Sequence, residues 1–392
     1  ASDTTVKYAA NFGADSSFAG EKTAQGNQDG NDKGDFYYTP PTGYLALCSD
    51  NLPTPSIELP GDHFNTVLYT GDGNTGRAVT GVGFQPDLTW IKNRDALDNN
   101  VLVDAVGGAN EYWSSNATTA KTDDSNYVTS LDSGGFTVGS ADAVNTNTED
   151  FVSWNWKANG SGSSNTDGSI TSTVSANTTA GVSIIQWTGT GANATIGHGL
   201  SEAPTLVIAK VVSTTSSPPV GGLAGSMDFT DYMYLDGTAA YTDSAAYWND
   251  TAPTSSLISL GTGDSNISAQ TMIAYAFHSV EGYSKVGSYT GNGNVNGTFV
   301  YTGFRPAYVM WKVMSAVDSW ATIDNKINTY NPNDTHLRPN SVDAEKTDSA
   351  KAVDYLSNGF KIRMTDGQWN TSSGTYLYYA VAAYPFKYSP AR

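Results

Sequence analysis

The stretch FQPDLTWIKN, residues 84–93, decides the reading of this chain, because the chain writes it three times. An apolar run leads to a lysine at Lys92, and the same phrase recurs as LSEAPTLVIAK ending at Lys210 and FRPAYVMWK ending at Lys312. Each lysine follows a proline by six residues: Pro86, Pro204 and Pro306. Seventeen residues before those prolines stand Tyr69, Trp187 and Tyr289, each opening an aromatic-Thr-Gly-x-Gly motif. Such constant spacing marks three copies of one module of about 100 residues, long enough to bury a core of its own.

The copies are aligned further along the chain. Lys92 and Lys312 are each followed twelve residues later by an aspartate, Asp104 and Asp324. The middle copy reaches its counterpart, Asp236, only after SSPPVGGLAG, which reads as an inserted loop. Trp90 and Trp311 read as one module position, held by Ile208 in the middle copy. Each copy closes on aromatic-x-aromatic-basic, as Trp154–Lys157, Tyr275–His278 and Tyr384–Lys387.

Within a module the runs are β-branched and aromatic, partly with period two, and Gly-Asp-Gly or Ser-Gly-Gly turns punctuate them. Residues 343–357 could add a helix of at most a turn or two. The expected fold is all-β: three tandem antiparallel β-sandwich modules, concanavalin- or SPRY-like, behind an N-terminal partial β segment. Expected boundaries are 1–60, a first module 61–158, a Ser/Gly/Thr linker 159–181, a second module 182–282 and a third 283–392.

The balance of 20 basic against 38 acidic residues gives a formal charge of −18, which disfavours nucleic acid. No apolar run is long enough for a membrane helix, so membrane insertion is not expected. A single cysteine, Cys48, excludes an internal disulfide framework. The first residue is Ala1, so processing or excision from a longer product is expected.

Chemistry-bearing motifs are sparse. GDGNTG at 71–76 matches G-x-G-x-x-G but is followed by strand-like residues where a dinucleotide site needs a helix, so it reads as a hairpin turn. The four histidines form no ligand pair on a helix, and no nucleophile elbow is present. Neither a catalytic residue nor a metal site is assigned, and no cofactor is expected. Calcium is the one ion the acidic loops at 27–32 and 122–126 could take, although neither has EF-hand spacing. The repeated lysines and aspartates are expected to pair across neighbouring strands. Trp90, Trp154, Trp156, Trp187 and Trp311 fall on strands and read as core. Trp113, Trp248, Trp320 and Trp369 fall in less regular segments. With Tyr112 and Tyr247 they are the candidate ligand-binding residues, since exposed aromatics stack on sugar rings and anchor protein interfaces.

NFG at 11–13, then Phe36, Tyr37, Pro40, Pro41, Gly43, Tyr44, Leu47, Cys48, Asn51, Leu52 and Pro53, resembles the closing segment of a SPRY-type β-sandwich domain. With the modules reading VGFQPDLTWIKNRD, YVTSLDSGGFTVGS and FVSWNWKA, the whole resembles large structural proteins of marine tailed bacteriophages, of the tail-fibre or virion-surface kind. The resemblance implies a non-enzymatic tail-fibre or receptor-binding protein on the virion surface, released by host lysis. Its partners would be other virion proteins, further copies of itself (a trimer by analogy with fibres) and host-surface glycan or protein. Capsid decoration through assembly contacts is the alternative, and a host-polysaccharide depolymerase the third reading.

Overall fold

A computed structural model describes residues 9–389. The chain divides into two compact units, Ala1–Pro55 and Ser56–Arg392. Residues 1–8 of the expected N-terminal segment and 390–392 of the expected third module lie outside the described residues.

The described residues of the N-terminal unit are held by turns and not by a sheet. Its described residues carry one isolated bridge, Asn27 to Phe36, and a 3-10 turn, Ser49–Asn51. Asp29 explains why: its carboxylate accepts from the backbone N–H of Asn31, Lys33 and Ala46 and from the Asn51 side chain. Side chains that satisfy the backbone locally compete with strand pairing.

The second unit repeats one wiring three times. In the first module a sheet runs, in spatial order, Phe64–Thr70, Asp150–Trp156, Leu88–Asn93, Val101–Asp104, Glu111–Trp113 and Thr122–Asp123. The second module repeats that order with Val182–Thr188, Thr271–Phe277, Leu206–Val211, Pro219–Gly222, Asp231–Tyr234 and Thr242–Asp243. The third has Ser284–Thr290, Thr375–Pro385, Phe304–Val313 and Ala321–Asp324. A smaller sheet covers one face of each: Arg77–Thr80 with Gly135–Val138 and Val128–Asp132, Ala194–Gly197 with Leu257–Leu260, and Phe299–Tyr301 with Gly359–Ile362 and Val353–Leu356. The prolines of the repeated phrase hold one place, two residues ahead of Leu88, Leu206 and Tyr308, which face Trp156, Phe277 and Val381 on the closing strands.

The aromatic-Thr-Gly-x-Gly motif has a physical cause. A Cβ on Gly71, Gly189 or Gly291 would collide with the carbonyl oxygen of Thr146, Ile267 or Thr371. The second glycines, Gly73, Gly191 and Gly293, sit at φ of +69°, +69° and +64°, a region that disfavours side chains. Both are needed because a buried asparagine clamps the loop: Asn145, Asn266 and Asn370 each accept a backbone N–H on Oδ1, from Asp72, Thr190 and Asn292. Their Nδ2 groups reach back to the same loops. The first loop leads from the large sheet to the small one, so GDGNTG is a crossover and not a hairpin.

The modules are not independent sandwiches. Each has a core between its own two sheets, but the other face of each large sheet is buried as well. On the closing strands Val152, Trp154 and Trp156, then Ile273, Tyr275 and Phe277, then Leu377, Tyr379 and Val381, all enter one shared core. Period two sends the intervening residues to the module's own core. Three equivalent backbone bonds close the ring: Lys121 N–H to Val212 O at 2.8 Å, Tyr241 N–H to Met314 O at 3.1 Å and Glu345 N–H to Arg94 O at 2.8 Å. Each accepting residue lies two beyond a repeated lysine.

Several expectations are corrected. Residues 159–181 are not a linker: Ser163–Asn165 and Ser172–Asn177 pair with each other, and the latter joins Val182–Thr188 at the edge of the second large sheet. Their alternation, with Val174 inward, is hidden by the Ser/Thr content. Low-dose proteinase K should therefore leave 163–177 intact, and an early cut there, mapped by mass spectrometry, would contradict this placement. SSPPVGGLAG is not an insertion, since Pro219–Gly222 is the neighbouring strand and Gly222 opposite Leu206 occupies the place of Asp104 and Asp324. Asp236 is displaced accordingly. No helix forms in 343–357, where strands at Lys346–Thr347 and Val353–Leu356 stand. The third closing motif is Tyr379–Val381, by register with Trp154–Trp156, and not Tyr384–Lys387.

Candidate functional site

The four candidate tryptophans are buried and present no stacking surface. Trp113 lies in the shared core, its Nε1 donating to the Tyr275 hydroxyl at 2.9 Å. Trp320 lies there too and donates to the Tyr234 carbonyl. Trp248 packs edge-on to Phe229 inside the second module, and Trp369 against Trp311 at 4.2 Å inside the third. Trp113 stands on the three-residue strand Glu111–Trp113, and Trp248 and Trp369 on the one-turn helices Ala245–Trp248 and Gly367–Asn370. Elements this short still deliver large side chains inward, which irregular local pattern does not reveal.

Tyr112 and Tyr247 fare differently. Tyr112 stacks on Tyr127 with ring centroids 3.7 Å apart, and Tyr247 stacks on Tyr232 at 3.7 Å. The pairs are equivalent, because Tyr112 faces Thr122 as Tyr232 faces Thr242. All four rings are half-buried. In the third module His336 holds the strand position, faces Lys346 and packs its ring edge-on to Trp369, so the tyrosine stack is absent. The second pair is extended: the Tyr247 and Tyr234 hydroxyls lie 2.5 Å apart, and Tyr234 donates to Asp264 at 3.2 Å. Burial, with the Asp264 charge adding to it, raises the Tyr234 phenol to about 12. These stacks are rigid, amphipathic and partly open to solvent, the properties of a contact surface.

The repeated lysines and aspartates do not pair. Lys92, Lys210 and Lys312 are fully buried and donate to carbonyls. Lys92 reaches Asn93 at 2.8 Å and Val342 of the third module at 3.2 Å. Lys210 reaches Ser216 and Thr118 of the first module, and Lys312 reaches Val313 at 2.7 Å. Asp104 and Asp324 use one oxygen to hold the turn that follows and the other to accept from a different module, from Tyr275 at 3.0 Å and Trp154 at 3.1 Å. Burial raises both carboxyls. These groups fasten the ring.

Burial pushes each lysine down to about 8, against weaker support from nearby carboxylates. The folded pKa then lies below the unfolded one, so from pH 8 upward the unfolded chain holds more protons and stability rises with pH. The urea midpoint should increase between pH 7 and 9.5, on the order of 1 kcal/mol per lysine, before tyrosine ionisation opposes it. Lys312→Met should remove about a third of that slope. An unchanged slope would show that the ammonium titrates normally.

In the candidate calcium loops Asp29 spends its carboxylate on its own chain as described, and Asp124 on Asn126. Among the described residues no group of three His, Cys, Asp or Glu could hold a metal. Among the described residues no helix is long and apolar enough to cross a membrane.

One family model matches residues 59–385, spanning all three modules. The chain belongs to the family described as domain of unknown function DUF7483. The DUF7483 match begins beyond the N-terminal unit and ends at the close of the long strand Thr375–Pro385. No curated protein and no solved structure matches the chain. What the sequence missed in the DUF7483 region is the asparagine clamp. Its signal was there, an Asn 73, 76 or 78 residues beyond the residue that follows each first motif glycine, visible only once the glycine's steric need is known.

Proposed function

We propose that this chain is a non-enzymatic structural protein of a bacteriophage virion surface, with a tail-fibre or receptor-binding role towards host-surface glycan or protein. The observation that carries this reading is the division of labour among its polar residues. The buried lysines and aspartates are spent on joining modules, and the half-buried tyrosine stacks around Tyr112 and Tyr247 are left for contact. Weak contacts of this kind gain strength from many copies on one particle, as other virion proteins or a homo-oligomer would provide. Capsid decoration is the second reading. It is favoured by the exposed Phe12, Tyr38, Tyr44 and Leu47 of the N-terminal unit, an apolar surface suited to assembly contacts.

The test is gold-labelled antibody against the chain on intact particles from the source. Label at the distal tail supports host recognition. Label spread over the capsid replaces it with decoration, and particles without label overturn both.

A further inference from the structure

We infer that a cleft between the first and third modules is a binding site for a neutral oligosaccharide. The inference rests on the proposed contact with host-surface glycan and gives it a place other than the tyrosine stacks. Residues 158–181 connect the first module to the second, and 278–283 the second to the third. No connecting chain runs between third and first, and there a cleft of about 380 Å³ remains. That volume falls in the range of small-ligand sites, about 300–1,000 Å³.

Its lining carries polar atoms that the fold does not use. Thr66 is 4% exposed and its hydroxyl has no partner. The Asn325 side-chain oxygen is likewise shielded and without one. Buried polar atoms are rarely left so, which points to a group that enters from outside. Glu58 and Asp62 add carboxylate acceptors and Lys326 a donor, while the half-exposed ring of Tyr384 offers a flat apolar face. Acceptors outnumber donors, which suits a ligand rich in O–H groups. The ring suits the C–H face of a pyranose. The two carboxylates, in a chain of charge −18, turn away an acidic sugar.

The test uses the full chain on immobilised oligosaccharides ending in glucose, galactose, N-acetylglucosamine or N-acetylneuraminic acid, with hits titrated by calorimetry. Binding is expected to at least one neutral terminus and not to N-acetylneuraminic acid. Tyr384→Ala and Asn325→Ala should each weaken it about tenfold. Lys326→Ala, at an exposed side chain whose removal leaves the fold intact, should weaken it severalfold. Binding that survives all three variants but is lost in Tyr112→Ala or Tyr247→Ala keeps the glycan reading and overturns the cleft. Binding to no neutral sugar overturns the cleft as well, while gold label at the distal tail would still keep host recognition, then of a protein.

Discussion

Trp156→Ala should cost about 3–5 kcal/mol, the largest loss expected from any single truncation in the chain. The indole of Trp156 touches all three modules. Its ring lies 4.9 Å from Phe64 in its own module, 6.4 Å from Phe277 in the second and 5.8 Å from Tyr308 in the third. Its Nε1 donates to the Tyr379 hydroxyl at 3.2 Å. Truncation opens a cavity that no single sheet can close by shifting, because each is fixed on its other face by its own core. Urea unfolding of the variant measures the loss. A cost under about 1 kcal/mol would mean that the modules do not pack on this residue together.

Asp324→Ala should cost about 2–4 kcal/mol for a different reason. The side chain is 1% exposed and serves three donors. Oδ1 accepts from the backbone of Lys326 at 2.8 Å and Ile327 at 2.9 Å, and Oδ2 accepts from Trp154 Nε1 at 3.1 Å. Alanine leaves these donors unpaired where water does not reach. Asp324→Asn keeps an acceptor and should cost less. It should also remove a pH dependence whose sign follows from burial raising the carboxyl. A group that holds its proton more tightly when folded favours the fold at low pH, and that advantage fades as pH climbs through the folded-state value. If alanine and asparagine cost the same, the carboxylate is not the acceptor that joins the third module to the first.

The repeat was legible because spacing survives sequence drift: the glycines and prolines are held by steric need, so their intervals stay fixed. The all-β class was legible from β-branched runs and turn residues. Register was not. Trp90 enters the shared core and Trp311 its module's own core, although both stand near a repeated lysine. They differ by one residue, and in a strand one residue is the opposite face. Counting from the proline pairs Trp90 with Met310. The shared core itself leaves little local trace, since an apolar residue does not state which of two layers it meets. Tyr384-Pro-Phe386-Lys387 imitated the closing motif because the last strand runs on to Pro385, four residues past the position where its equivalents end. Of the candidate site, residue type was informative and exposure was not: both tyrosines reach the surface, and all four tryptophans are spent on cores.

The central claim is that three modules close into one ring around one shared core. Differential scanning calorimetry of the full chain tests it most directly. A ring fastened by Lys121, Tyr241 and Glu345 should unfold residues 56–392 in one endotherm, with calorimetric and van't Hoff enthalpies equal, and Trp156→Ala should move that endotherm as a whole. Separate endotherms for the modules, with only one of them shifted by Trp156→Ala, would contradict it.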